Sequence, residues 1–358
     1  MAQYPIIRLV ADGFGPFDSV DLALSPTLNV ITGENATGKS QLLKLLYVCT
    51  RTLQDATALT KNALSSDVAD ALVGVFRPDQ LGRLVRRVRG QARATVGVRY
   101  QGIGEPLEFA FASSARTEVK VDSIPAGKPA DTPVFFPSRE LLSLYPGLVS
   151  LFETREVEFD ETWRDTASLL GRPALRGPRG TSATELLKPV LEEIEGVVIE
   201  ESGRFYVRLP SGDAGTGKIE AHLVSEGFRK LAMIIRLVSN GVLLEGGYLF
   251  WDEPEANLNP TTQRAVARVI LALARGGTQV FVATHSMFML RELELLLGDG
   301  SSGTGVEPRY VGLFREARGE RAPTSGGVRA ESASDPADLT AIAALDAESL
   351  QSLRYLGS

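Results

Sequence analysis

Residues Gly33-Glu34-Asn35-Ala36-Thr37-Gly38-Lys39-Ser40 carry the spacing G-x-x-x-x-G-K-[S/T]. Glycines so placed let a backbone turn closely enough for its N–H groups to face phosphate oxygens, and a helix that starts at the turn adds partial positive charge. Lys39 then reaches the β- and γ-phosphates of a nucleotide, the Ser40 hydroxyl ligates Mg2+, and Gln41 continues the phosphate-binding segment. A second pair of chemical residues, Asp252 and Glu253, follows the apolar run GGYLFW. Acids at the end of a buried strand suit two tasks: Asp252 can hold Mg2+ directly or through water, while Glu253, turned differently, can polarise an attacking water. His285, one of two histidines, ends the next apolar run, QVFVAT, where an imidazole can bond a γ-phosphate or orient that water. His222 has no such setting and reads as structural. Gly212 to Lys218 repeats the glycine and lysine spacing but is followed by Ile219 in place of a hydroxyl residue, and reads as a loop.

These residues need strands to carry them. LNVIT before the glycine loop and QLLKLLYV after it read as strand and helix, the α/β unit. PIIRLV and VDLAL precede them as a strand pair. Three alternating stretches, 94–100, 106–112 and 117–124, predict an antiparallel meander with one wet face. Ser182 and Glu185 have capping-box spacing ahead of LLKPVLEEIEG, and a hairpin VVIEES/RFYVRLP follows. From 228 to about 298, helices alternate with GYLFW and QVFVAT, the pattern of a buried parallel sheet. RYVGLFR (309–315) reads as a last strand. The expected fold class is α/β, a mixed and largely parallel central sheet with an antiparallel β-subdomain and a helical insert.

Composition bounds the setting. The chain has 358 residues, 38 Lys plus Arg against 44 Asp plus Glu, a formal charge of −6 and 44% hydrophobic residues. That supports a large core, excludes disorder as the main state, and names no partner by net charge. The single Cys49 cannot form an internal disulfide, the N-terminus lacks the layout of a signal peptide, and no apolar run nears the ~20 residues of a membrane span. A soluble, cytoplasmic, reduced protein is expected, with no membrane partner. Arg83, Arg86, Arg87, Arg89 and Arg93 form a basic segment without an acid, and the spacing of Arg83, Arg86 and Arg87 predicts one helix face, which suits a nucleic-acid backbone and equally a solvated face or a protein contact.

In order along the chain, these pieces resemble the ATPase head of the ABC superfamily, in the non-transporter branch that includes RecF, SMC-type and overcoming-lysogenization-defect-like proteins. GFGPFDSVDLALSPTLNVITGENATGKSQLLK resembles that branch's strand pair and Walker A motif, WDEPEANLNP its Walker B motif and D-loop (Ala256 to Pro260), and ATHS its switch histidine. Val224 to Lys230 stands in the place of the signature, with Glu226 where transporters carry Gly. No Q-loop glutamine is evident; Ser138, Arg139 and Glu140 occupy its region. The resemblance implies a P-loop NTPase fold of ABC type, ATP and Mg2+ as ligands, and a head-to-tail homodimer in which Ser225 and the Gly227 backbone cap the γ-phosphate bound by Lys39 of the second copy. Ser225 is independently a good N-cap for the helix FRKLAMIIRLV, so that a helix N-terminus faces the anion.

The expected organisation is one discontinuous head over 1–316, with an N-lobe at 1–50, a β-meander at 94–138, helical inserts at 50–93 and 139–195, and a C-lobe at 196–316. A flexible linker is expected over 317–337 and a C-terminal helix over 338–358. The stretch between Walker A and the signature matches neither a transporter's short helical subdomain nor a long coiled coil. The leading expectation is an ATP-hydrolysing switch that gates a separate effector protein in anti-phage defence or DNA repair. A RecF-like, ATP-dependent DNA clamp is the alternative, and a transporter subunit ranks third.

Overall fold

The computed structural model describes residues 2–87, 90, 92–154, 159–194, 197–208, 217–244, 246–299, 303–315, 326–339 and 353–355. Within them the strands are β1 (Ile6–Asp12), β2 (Phe17–Ala23), β3 (Leu28–Gly33), β4 (Arg93–Tyr100), β5 (Leu107–Ala112), β6 (Lys120–Ser123), β7 (Val134–Phe136), β8 (Val197–Glu201), β9 (Arg204–Arg208), β10 (Lys218–Glu220), β11 (Tyr248–Asp252), β12 (Gln279–Ala283), β13 (Pro308–Arg315) and β14 (Val328–Ala333). The helices are α1 (Lys39–Asp55), α2 (Lys61–Phe76), α3 (Tyr145–Thr154), α4 (Glu161–Leu170), α5 (Pro178–Ile194), α6 (Glu226–Ser239), α7 (Pro260–Arg275) and α8 (Met287–Gly298).

Eleven strands make one sheet in the order β6-β5-β4-β1-β2-β14-β13-β3-β12-β11-β7, and β10-β9-β8 make a small second one. β13, β3, β12, β11 and β7 pair in parallel, whereas β2, β1, β4, β5 and β6 pair antiparallel. The parallel strands are short apolar runs because helices cover both faces. Phe250, Phe281 and Ile31 pack with α1 on one side, while Leu249, Trp251, Val280, Val282 and Val30 pack with α6 and α7 on the other. The period of two thus survives, but both registers are apolar.

Local signals place the helix starts. Asn259 accepts from Thr262 N at 2.9 Å with Pro260 next, Ser286 accepts from Met289 N at 3.2 Å, and Asp160 accepts from Thr162 N at 2.9 Å. Each side chain satisfies a backbone donor that the helix leaves open. The expected cap at Ser182 is not one. α5 already starts at Pro178, and the Ser182 hydroxyl bonds back to the Pro178 carbonyl at 3.3 Å from inside the helix.

Four further expectations change. Residues 328–333, expected in a linker, form β14, antiparallel to β13 and parallel to β2, and so join the two halves of the sheet. Residues 134–136, expected with the meander, instead extend the parallel half as β7 beside β11. Lys218, expected in a loop, opens β10, while residues 212–216 lie outside the described residues. The helix expected for Arg83, Arg86 and Arg87 is a single 3-10 turn, Leu81–Leu84, followed by extended chain. Gly15 N donates to Leu84 O and Arg86 N to Gly13 O, both at 2.7 Å, so pairing with the β1–β2 turn takes the bonds a helix would need. Arg89 and most of the expected 338–358 helix lie outside the described residues. Among the described residues no helix is long and apolar enough to cross a membrane.

Candidate functional site

β3, β11 and β12 deliver the sequence motifs to one edge, their carboxyl ends, the edge at which ligands of α/β sheets bind. The Gly33–Ser40 loop joins β3 to α1. Gly33 and Gly38 have φ of 154° and 96°, and a Cβ at Gly38 would lie 2.7 Å from Pro16 Cγ and 3.0 Å from the Phe17 ring. Only glycine fits that packing. Ala36 also takes a positive φ, 62°. The Thr37 hydroxyl donates to the Glu34 carbonyl at 2.8 Å, and the Arg315 guanidinium to the Ala36 carbonyl at 2.6 Å, so the loop is braced from both ends; Glu34 and Asn35 stay exposed.

Lys39 is 7% exposed, and its Nζ donates to the Gly33 carbonyl at 2.7 Å and the Glu34 carbonyl at 3.0 Å. Burial draws its pKa below the ordinary lysine value, against the pull of Glu253, Asp252 and Glu255. The ammonium therefore stands in the loop's concavity before any anion arrives. Gln41 lies over Gly15, lining a cleft of about 370 Å³ beside the loop together with Pro16, Phe76, Arg83, Arg87 and Arg315.

At the end of β11, burial raises the Asp252 pKa, while a hydrogen bond with the Ser40 hydroxyl and the charges of Lys44 and Lys39 lower it. Asp252 Oδ1 is buried without a hydrogen-bond partner. A hydroxyl bonded to a carboxylate that keeps an orphaned oxygen is a hard-oxygen donor pair, so the residues fit Mg2+. Glu253 has φ of 49°, a conformation costing a non-glycine residue on the order of 1–3 kcal/mol. Two anchors hold it there: its N–H donates to the Ala283 carbonyl at 2.9 Å, and Lys230 Nζ donates to its carbonyl at 2.5 Å. Its Oε1 lies 3.3 Å from His285 Nδ1.

Three residues that the sequence reading did not single out complete the edge. Glu255 is buried; its Oε1 accepts from the Thr284 hydroxyl at 2.7 Å and the His285 N–H at 3.2 Å, so it ties the turn after β11 to the turn after β12. Lys230 is 1% exposed, and burial depresses its pKa to about 8 despite the nearby Glu255, Glu253 and Asp252 carboxylates. Arg229 pairs with buried Glu140 at 2.7 Å, joining the signature segment to the expected Q-loop region. Glu255 and Lys230 each sit inside a quoted motif, so the only sequence signal was an extra charge in a segment already marked as chemical.

Ser225 occupies the N-cap position of α6, but its hydroxyl caps no backbone N–H. Gly227 packs against the D-loop of its own chain: a Cβ there would lie 2.8 Å from the Asn257 carbonyl oxygen and 3.0 Å from Leu258. The fold brings Lys39, Ser40, Asp252, Glu253 and His285 together and leaves Ser225 and Gly227 on a neighbouring surface. His222 is exposed on a 3-10 turn ahead of them.

A phosphate loop, a strand-end Asp-Glu pair and a histidine one strand further on thus share one edge of a mixed α/β sheet. The fold is similar to that of SMC head domains. Residues 188–291 match the family model described as "AAA domain, putative AbiEii toxin, Type IV TA system". Among solved structures, an SMC head bound to the C-terminal winged-helix domain of ScpA superposes with a TM-score of 0.53 at 12% identity, over 93% of this chain and 98% of that one. The SMC head domain from Thermotoga maritima gives 0.45 at 13% identity, over 92% and 99%. A Pyrococcus furiosus SMC head with an extended coiled coil, bound to the C-terminal domain of ScpA, gives 0.47 at 11% identity, over 99% and 100%. No curated protein sequence matches the chain.

Proposed function

We propose that this protein is an ATP-hydrolysing switch: it binds ATP with Mg2+, closes head to tail on a second copy around the nucleotide, and opens after hydrolysis. The observation that carries this reading is Asp252, whose carboxylate bonds the Ser40 hydroxyl and keeps a buried, unpartnered Oδ1, one residue before a glutamate held at positive φ beside His285. A fold has no structural use for that combination, which costs desolvation and backbone strain.

Lys39 and the loop N–H groups would hold the phosphates, and Ser40 and Asp252 the Mg2+, which would neutralise charge on the β- and γ-oxygens when bound. Glu253 would accept the proton of a water placed in line with the γ-phosphate, and its carboxylate, one-third exposed, can reach such a water. His285 Nδ1 would keep that carboxylate oriented, leaving the other ring nitrogen for the phosphate. Ser225 supports the dimer, since its hydroxyl is spent on no cap and α6 begins beside it with its N–H groups open. Gly227 lies against the D-loop, so engagement at the signature would be felt there.

A separate effector protein gated by this cycle is the final part of the reading. The SMC head bound to ScpA is an instance of such a head with a protein partner. The family model matched over residues 188–291 is that of a putative toxin of a toxin–antitoxin system, which supports a setting in which such a head acts with a second protein, in phage defence or DNA repair. Glu253→Gln tests the core of the proposal. The variant should bind ATP, lose phosphate release by about 100-fold or more, and accumulate as a dimer with ATP on size exclusion. Normal hydrolysis by Glu253→Gln overturns the assignment.

A further inference from the structure

Adjacent cations in the first turns of α6 reach in different directions. Arg229 meets Glu140 after β7, and its guanidinium also donates to the Val224 carbonyl; Glu140 accepts in turn from Ser143 N at 3.1 Å. Lys230 points instead at the catalytic edge, where its Nζ donates to the Glu253 carbonyl at 2.5 Å. Burying an ammonium to 1% exposure is costly, and an apolar side chain of similar length would fill the same space at lower cost. What an apolar chain cannot do is grip a peptide carbonyl.

The gripped carbonyl is that of the residue at φ 49°, whose N–H is fixed to Ala283 O on the other side. Two hydrogen bonds from opposite directions therefore set the Glu253 backbone. One comes from β12, a rigid neighbour. The other comes from a helix whose start, at Ser225, lies on the surface.

We infer that Lys230 is a positioning residue: it aims the Glu253 carboxylate and makes that aim depend on where the signature helix stands. The inference rests on Glu253 being the base. A ligand or second copy that engages Ser225 and shifts the N-terminus of α6 pulls on the Glu253 peptide of the same chain through Lys230. Hydrolysis at each site is then linked to engagement of the signature carried by the same subunit. Arg229, tied to Glu140, transmits the same movement to the loop after β7.

The test compares Lys230→Met, Lys230→Arg and Glu253→Gln with the wild-type full chain. Phosphate release is measured over a range of ATP concentrations, affinity for a fluorescent ATP analogue separately, and thermal melting alongside. Lys230→Met should lower kcat by about 30-fold, since a displacement near 1 Å in a catalytic group can cost up to about 100-fold, while nucleotide affinity stays within about two-fold. Lys230→Arg, which keeps charge and donors, should recover part of the loss. A Lys230→Met variant with wild-type kcat, or one whose affinity falls as far as its kcat, overturns the inference. Should the methionine variant fail to fold, Lys230→Arg and Lys230→Gln take its place, with kcat expected to fall in that order and equal rates overturning the inference. Glu253→Gln separates the two readings. If it is inactive while Lys230→Met is normal, only the positioning role falls; if it hydrolyses ATP normally, both fall.

Discussion

The two halves of the large sheet place their polar residues differently. β3 and β12 are buried from end to end, and β11 until its final Asp252. β2 and β4 alternate buried with exposed positions, and the antiparallel half carries charges openly, as in the pair Arg8–Asp21. With helices on both faces, a charge in the parallel half has no solvent to point into, so those that occur cluster at strand ends, where a ligand can replace the water. With one face wet, a charge in the antiparallel half needs no ligand to explain it. Position within the sheet thus separates chemistry from solvation.

If that distinction holds, removing charge from the parallel edge should harm activity and spare or raise stability. Asp252→Asn is the largest expected effect. Phosphate release should fall by about 100- to 1,000-fold, because a neutral amide is a weaker ligand for a cation that must offset phosphate charge. Because desolvation already opposes ionisation of Asp252, the folded chain should melt at the same temperature or higher without nucleotide. Loss of stability in step with loss of activity would mean that the edge acids hold the fold together, and the contrast between the halves would collapse.

Glu255 sharpens the same contrast, because here an edge acid is spent on protein partners. Glu255→Ala leaves the Thr284 hydroxyl and the His285 N–H without their acceptor, at a cost of about 2 kcal/mol, measured by denaturant unfolding. It should also lower kcat by about 10-fold, as His285 loses its orientation. Glu255→Gln keeps an acceptor oxygen and should restore most of the stability. If Glu255→Ala unfolds normally, the link between the two turns carries no weight.

Much of this edge was legible because its parts are contiguous. Gly33 to Ser40, Asp252-Glu253 and His285 each announce themselves within a few residues, and the apolar runs before them place each at a strand end. What escaped depends on contacts between segments far apart in the chain. Nothing local in FRKLAMIIRLV says that Lys230 meets Glu253, or that Glu255 spans to Thr284. Local spacing also misled where tertiary pairing won: Arg83, Arg86 and Arg87 have helical intervals, yet the bonds from the β1–β2 turn hold that segment extended. Polarity misled at 328–333, since β14 lies at the join between the two halves and shows only partial burial.

The smallest effect is expected from Arg8→Ala in the antiparallel half, which removes an exposed pair with two hydrogen bonds to Asp21, at 2.8 and 2.6 Å. Solvent screens such a pair and the side chains lose freedom in making it, so melting near pH 7 in physiological salt should be indistinguishable from wild type, with turnover unchanged. Arg8 does hold the Asp21 pKa below its ordinary value through the hydrogen bond. Whatever stability this gives is present above the unfolded carboxylate range and is lost as pH falls through the lower, folded value, where Asp21 protonates. A wild-type advantage seen at low salt and neutral pH should therefore shrink on acidification and on adding salt. A large melting difference that survives both would mean that Arg8 contributes through packing, and that the wet half, too, carries polar residues its fold cannot lose.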